Sequence, residues 1–347
     1  MTPREFRLES YDYPLPEELI AQYPSPKREE SRLLVLQRKT GEITHHNRFR
    51  EIVRYFKKGD LLVVNDTRVF PARLIGHKPT GGQVEILLLR LPKAGEPVPA
   101  LFRGKRPRPG LQIVFSEELE GEITAVHEGG KVEIVLSAPT DLLSTLEKVG
   151  RVPLPPYIKR QPEAEDLFRY QTVYAKKLGS VAAPTAGFHF TEELLQKLRQ
   201  KGVLFASITL HVGYGTFAPV KTEDIRQHKI HEEYVEIDPQ TADLINQTRR
   251  QGGHLFAVGT TTLRALEFSA LKSGRVEPVS AWCDLYIYPG FRFQVVDHLV
   301  TNFHLPRSSL LLLVSAFAGR ELILKAYQEA IERRYRFFSY GDAMLIL

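Results

Sequence analysis

Cysteine is nearly absent from the 347-residue chain. The single Cys283 excludes an intramolecular disulfide and any metal site built from cysteine alone. A lone thiol fits a reducing compartment. Long apolar runs are missing too: the longest, residues 310–318, contains Ser315 and falls far short of the roughly 20 residues needed to span a bilayer. The first residues, MTPREFRLESYDY, carry no apolar stretch of a secretory signal. A soluble, cytoplasmic protein is expected, with no membrane partner. Neither the Gly-Lys-Ser/Thr of a Walker loop nor a GxGxxG dinucleotide fingerprint occurs. Internal repeats and low-complexity segments are also lacking. What remains is ordinary globular composition, 43% hydrophobic and 25% charged, with a formal charge of +6 that leans mildly toward a polyanionic partner. The length predicts two domains.

Two glycine-bearing runs stand out, residues 179–190 (GSVAAPTAGFHF) and 211–220 (HVGYGTFAPV). Small residues at this density suit sharp turns and close backbone approach rather than core packing. Between them Thr191, Glu192 and Glu193 start a helix that Gly202 stops, and residues 203–210 alternate as a strand. His189 and His211 therefore fall at the ends of regular elements, where sites are commonly built.

Upstream, residues 32–46 read as a hairpin turning at Lys39-Thr40-Gly41, residues 17–22 and 49–56 as short helices, and residues 59–66 as an apolar strand. From about Thr67 the texture changes to short strands at 69–78, 83–90, 111–116, 121–128 and 131–137, split by Gly and Pro turns. That spacing predicts a small antiparallel barrel. Beyond the proline-rich stretch 151–160, strands and helices alternate: Asp238 and Pro239 open a helix, 254–259 is a strand, 263–272 and 321–334 are helices. The expected architecture is a layered α/β domain from residues 1–66 and 151–347, with a small β-barrel domain, 67–150, inserted into it.

Several segments could carry chemistry. The run 259–267 (GTTTLRALE) follows a strand and opens a helix, so backbone N–H groups and the hydroxyls of Thr260, Thr261 and Thr262 could hold an anion or a sugar edge; equally, Thr260 could simply cap the helix. His228 and His231 beside Glu232 and Glu233 have the spacing of a metal site or of a polar surface segment leading into a strand. Asn302 and His304 sit in a loop stiffened by Pro306. Arg103, Lys105, Arg106 and Arg108 lie among Gly and Pro on the expected barrel, as a phosphate-contacting loop or a solvated turn.

Taken together, seven runs resemble the S-adenosylmethionine:tRNA ribosyltransferase-isomerase family of queuosine biosynthesis: residues 11–24, 59–74, 169–190, 210–220, 258–267, 301–310 and 336–346. Phe188 and Thr262 depart from the family pattern, where leucine and serine are usual. The resemblance implies a large α/β domain with an inserted β-barrel. It implies transfer and isomerisation of the ribosyl part of S-adenosylmethionine onto 7-aminomethyl-7-deazaguanine at the wobble position of a tRNA, giving epoxyqueuosine, adenine and methionine. S-adenosylmethionine is then a consumed co-substrate, no metal is expected, and the protein is expected to be a monomer. A tRNA methyltransferase and a non-catalytic RNA-binding protein are the rival readings.

That chemistry needs groups that take up and release protons. His189 and His211 are the first acid–base candidates, His231 and His304 the second, and Asp66 could hold ribose hydroxyls or an ammonium. Gly187, Gly213 and Gly215 would let the backbone approach the nucleoside. Pro184, Thr185, Thr216, Thr260 to Thr262 and Asn302 would line its site, and Arg103, Lys105, Arg106 and Arg108 would meet RNA phosphates. A splayed base could stack on Phe188, Phe190, Tyr214 or Phe217.

Overall fold

The computed structural model describes residues 2–216 and 219–347 in full, and the backbone of Phe217. The predicted hairpin forms: β1 (Leu33–Leu36) pairs antiparallel with β2 (Ile43–His46), and Gly41 takes the left-handed conformation its turn requires (φ 71°). The flanking short helices are 3-10 turns, at Glu17–Leu19 and Phe49–Tyr55. β3 (Leu61–Asn65) is buried along its whole length, and β4 (Thr67–Val69) leaves it to pair with a later strand.

Six strands then close into a barrel: β5 (Arg73–His77), β6 (Gln83–Leu88), β7 (Val98–Arg103), β8 (Leu111–Ser116), β9 (Leu119–Val126) and β10 (Lys131–Ser137), in the order β10–β7–β6–β5–β8–β9. Residues alternate in and out, and Leu74, Val84, Ile86, Ile113, Ile123 and Ile134 fill the interior. β7 is the strand that the sequence conceals. Pro99 lies inside it, opposite Glu133 of β10, and proline reads as a breaker. Helix α1 (Leu142–Val149), capped by Asp141, adds Leu142 and Leu146 to the barrel core.

Past the short α2 (Asp166–Arg169), the chain returns through β11 (Lys177–Ser180), which pairs parallel with β4. α3 (Glu192–Gln200) is capped by Thr191 as predicted, and β12 (Leu204–Leu210) and β13 (Glu233–Ile237) follow. α4 (Pro239–Arg250), capped by Asp238, leads to β14 (Leu255–Val258) and α5 (Thr260–Ala270). β15 (Val279–Cys283), β16 (His298–Asn302), α6 (Ser309–Ala318), α7 (Arg320–Glu332) and β17 (Ala343–Ile346) complete the chain. The greasy run is thus the buried helix α6; among the described residues no helix is long and apolar enough to cross a membrane.

The nine-stranded sheet has the order β15–β13–β12–β3–β14–β16–β17–β1–β2. Its centre, β12, β3, β14 and β16, is parallel. Helices α4 to α7 cover one face, while α3 and the Phe49–Tyr55 turn cover the other. The result is the expected α/β layering with an inserted antiparallel barrel. The four central strands all end on one edge, at Asn65, Leu210, Val258 and Asn302, the edge where open parallel sheets usually place ligands.

Candidate active site

Hydrogen bonds draw the two glycine-bearing runs together at that edge. The Val181 and Ala182 N–H groups donate to the Val212 carbonyl at 3.0 and 3.1 Å, and the Val212 N–H donates to Ser180 Oγ at 2.6 Å. Asn65 pins three elements at once. Its Nδ2 donates to the Leu210 carbonyl (2.9 Å) and to Thr261 Oγ1 (3.4 Å), and its Oδ1 accepts from the Thr67 and Leu210 N–H groups. Around these ties lies a cavity lined by residues 183–186, Val212, Thr216, residues 259–261 and 301–304, Leu310, Phe338 and Ser339.

Of the residues singled out in the sequence, Pro184, Thr185, Thr216, Thr260, Thr261, Asn302 and His304 reach this wall. Gly259, at φ 92°, turns β14 into α5 with no side chain in the way, so the N-terminus of α5 opens onto the cavity. Thr262 does not share the wall. It is fully buried and its hydroxyl donates back to the Val258 carbonyl at 2.6 Å.

Asn302 is the most informative residue. Its amide Nδ2 donates to the Phe338 carbonyl (2.9 Å), the Ser339 carbonyl (3.4 Å) and His189 Nε2 (3.3 Å), while its buried Oδ1 has no partner among the described residues. A buried unmatched acceptor at a cavity wall is a place for a ligand N–H or O–H. His189 lies behind that wall, with Nδ1 2.7 Å from Ser31 Oγ and its ring against Phe49. Burial, reinforced by the Arg336 and Arg28 charges, pushes its pKa down to about 3. His304 bonds Thr301 Oγ1 through Nε2 at 2.9 Å, and burial likewise lowers its pKa to about 3. Both imidazoles are neutral near pH 7. The sequence offered no polar flag for Phe338 and Ser339, whose contribution is backbone carbonyls.

A second cluster forms beside the cavity. His211 Nδ1 meets Thr67 Oγ1 at 2.8 Å, and Thr209 Oγ1 donates to the buried Asp66 at 2.7 Å. Gly179 is required here, because a Cβ would lie 2.6 Å from His211 Cε1. Burial lowers the His211 pKa, against the opposing pull of Glu236 and Asp66.

The glycines do other work than expected. A Cβ on Gly187 would stand 2.1 Å from the Tyr174 hydroxyl, so this glycine admits Tyr174 rather than a nucleoside. Gly215 lies under the exposed His231 ring, and the Gly213 N–H donates to Glu233 at 2.9 Å. Glu233 turns inward to a buried ion pair with Arg264 (2.9 Å) and accepts from Thr216 Oγ1 (2.8 Å). The segment around His228 and His231 is therefore a partner of α5, and no group of metal-ligating side chains occurs among the described residues. Arg264 is buried in α5 together with Leu263, Ala265 and Leu266, and a cation there was the signal that could have revealed this pair. Phe188 and Phe190 are core residues, 7% and 0% exposed, Tyr214 packs against the barrel core, and the Phe217 side chain lies outside the described residues. Arg103 ends β7 and pairs with Glu85, and Lys105, Arg106 and Arg108 follow in the β7–β8 turn.

A family model described as queuosine biosynthesis protein matches residues 8–346. The chain is 53% identical over 341 residues to the S-adenosylmethionine:tRNA ribosyltransferase-isomerase of Aquifex aeolicus, covering 98% of this chain and 100% of that one. To the protein of that name in Carboxydothermus hydrogenoformans it is 54% identical over 342 residues, with 98% and 100% covered. Among solved structures, S-adenosylmethionine tRNA ribosyltransferase from Thermotoga maritima is 40% identical, with 97% of this chain and 100% of that one covered and a TM-score of 0.55. Matched along nearly its whole length, in sequence and in architecture, the chain belongs to the queuosine biosynthesis protein family of S-adenosylmethionine:tRNA ribosyltransferase-isomerases.

Proposed function

We infer that this protein transfers and isomerises the ribosyl moiety of S-adenosylmethionine onto 7-aminomethyl-7-deazaguanine in the wobble position of tRNA, giving epoxyqueuosine and releasing adenine and methionine. Beyond family membership, one observation carries the reading: the unmatched Asn302 Oδ1 in a wall that also holds the α5 N-terminus and five threonines, at 185, 216, 260, 261 and 301. Acceptor, backbone donors and hydroxyls in one small cavity match the mixed edge of a nucleoside.

The roles divide by environment. Asn302, Thr260, Thr261 and His304 hold the nucleoside, with His304 a neutral hydrogen-bonding group. His189 is a positioning residue that fixes the Asn302 amide so that Oδ1 faces outward. His211 is the proton-handling imidazole, because it is only partly buried and, although burial lowers its pKa, Glu236 and Asp66 oppose that shift. The reaction asks for such a group: the C5′ proton beside a sulfonium must be removed, and the attacking amine must lose its charge. Arg103, Lys105, Arg106 and Arg108 meet the tRNA backbone.

Purified protein, S-adenosylmethionine and tRNA carrying the deazaguanine amine test the reading by chromatography of the small products. Adenine and methionine together, only with modified tRNA, are expected. S-adenosylhomocysteine instead would make the protein a methyltransferase, and no turnover would leave an RNA-binding protein.

A further inference from the structure

We propose that Trp282 is a stacking platform for an unpaired tRNA base neighbouring the nucleotide that enters the cavity, an inference that rests on the function proposed above. Trp282, the sole tryptophan of the chain, is 45% exposed on β15, at the edge of the nine-stranded sheet. It stands directly opposite Tyr234 in the β13–β15 ladder, with the rings 5.5 Å apart in an edge-to-face pair. Tyr234 in turn stacks on His211, with an interplanar angle of 17° at 6.2 Å. His211 is the residue before Val212, which lines the cavity. Three rings thus follow one another, from His211 next to a cavity-lining position, through Tyr234, to the exposed Trp282.

Charge favours RNA as the occupant. The Arg90 guanidinium, reaching over from the barrel, lies 4.5 Å from the Trp282 ring centre, and Lys177 answers Glu236 on the same strand as Tyr234. An exposed indole with a guanidinium beside it is the arrangement that holds single-stranded bases, whatever their sequence. A target base can be drawn into a pocket only if its neighbours give up their stacking in the loop, and a ring at the rim replaces what they lose. Of the rings that the sequence suggested for this task, Phe188 and Phe190 are buried, Tyr214 packs against the barrel core and the Phe217 side chain lies outside the described residues; Trp282 is available.

Because the chain has one tryptophan, emission excited at the red edge, where its 14 tyrosines do not absorb, reports Trp282 alone. Titrating the full-length protein with tRNA carrying 7-aminomethyl-7-deazaguanine should quench that emission saturably. Trp282→Ala should raise the tRNA Kd, measured by filter binding, about tenfold or more, and Trp282→Phe should recover most of the loss. The S-adenosylmethionine Kd should stay within about twofold, since Trp282 lies outside the cavity that holds that ligand. Unmoved fluorescence at saturating tRNA, or an unchanged tRNA Kd in Trp282→Ala, overturns the platform and leaves Arg90 and Trp282 as a strap between barrel and sheet. Equal weakening of both ligands overturns it too, as a purely structural effect. Wild-type protein that binds and is quenched but releases no adenine would sink the proposed reaction while leaving the platform standing.

Discussion

Two histidines that the sequence offered as acid–base groups are held neutral by their surroundings. His189 and His304 have pKa values near 3 in the folded protein, against an ordinary value of 6.5. Between those limits the unfolded chain binds more protons than the folded one, so stability is full above about pH 6.5 and falls as the pH drops toward 3. The loss is up to about 1.4 kcal/mol per pH unit for each histidine. Urea midpoints measured from pH 7 to pH 5 should therefore decline, and His189→Gln should decline less steeply than wild type. Parallel profiles would mean that His189 takes up its proton in the folded state. The same variant probes the positioning role, because a glutamine oxygen can still accept from the Asn302 amide. His189→Gln should keep much of kcat, whereas His189→Leu should lose ten- to a hundredfold, roughly the scale of losing one oriented polar group in an active site. The sequence showed that both histidines sit in site loops. It could not show which way an imidazole points, since that depends on Ser31 and Asn302, far away along the chain.

Elements were legible where a local rule acts alone. The β1–β2 turn, the Thr191 and Asp238 caps and the alternation of β12 all follow from a few adjacent residues. β7 was hidden by Pro99, and the 3-10 turns near Glu17 and Phe49 by a periodicity too short to separate them from α-helix. Glycines were found, yet their reasons were not, because a close approach involves a distant partner. Gly187→Ala should lose about 1–3 kcal/mol, the usual cost of overpacking, as Tyr174 is pushed aside. A thermal midpoint equal to wild type would show that the loop shifts freely. In α5, Arg264→Met strands Glu233 without its countercharge and should cost about 3–5 kcal/mol. Adding Glu233→Gln should return part of this, because the glutamine oxygen still accepts from Gly213 and Thr216. A double variant no more stable than Arg264→Met alone would show that the guanidinium matters for packing and not for charge.

At the scale of the whole molecule, the inserted barrel was visible as a change of texture in the sequence, while the cavity was not. The cavity needs four strand ends brought to one sheet edge, and that follows from the strand order. The two parts also divide the substrate. In the proposed function the small molecule sits at the sheet edge, and the polyanion needs cations spread over a wider surface. A net charge of +6 is too small to bind tRNA by itself, so the placement of its cations decides the footprint. Replacing Arg103, Lys105, Arg106 and Arg108 by alanine should weaken tRNA binding and flatten the dependence of log Kd on log salt by up to about 0.9 for every phosphate that is no longer neutralised. S-adenosylmethionine binding should not move, because the β7–β8 turn contributes nothing to the cavity wall. If the salt slope of that variant matches wild type, the turn faces solvent in the complex, and the tRNA instead crosses the sheet edge at Arg90, Trp282 and Lys177. Arg90→Ala would then take over as the variant that changes the slope. If both sets flatten it, the tRNA spans barrel and sheet together.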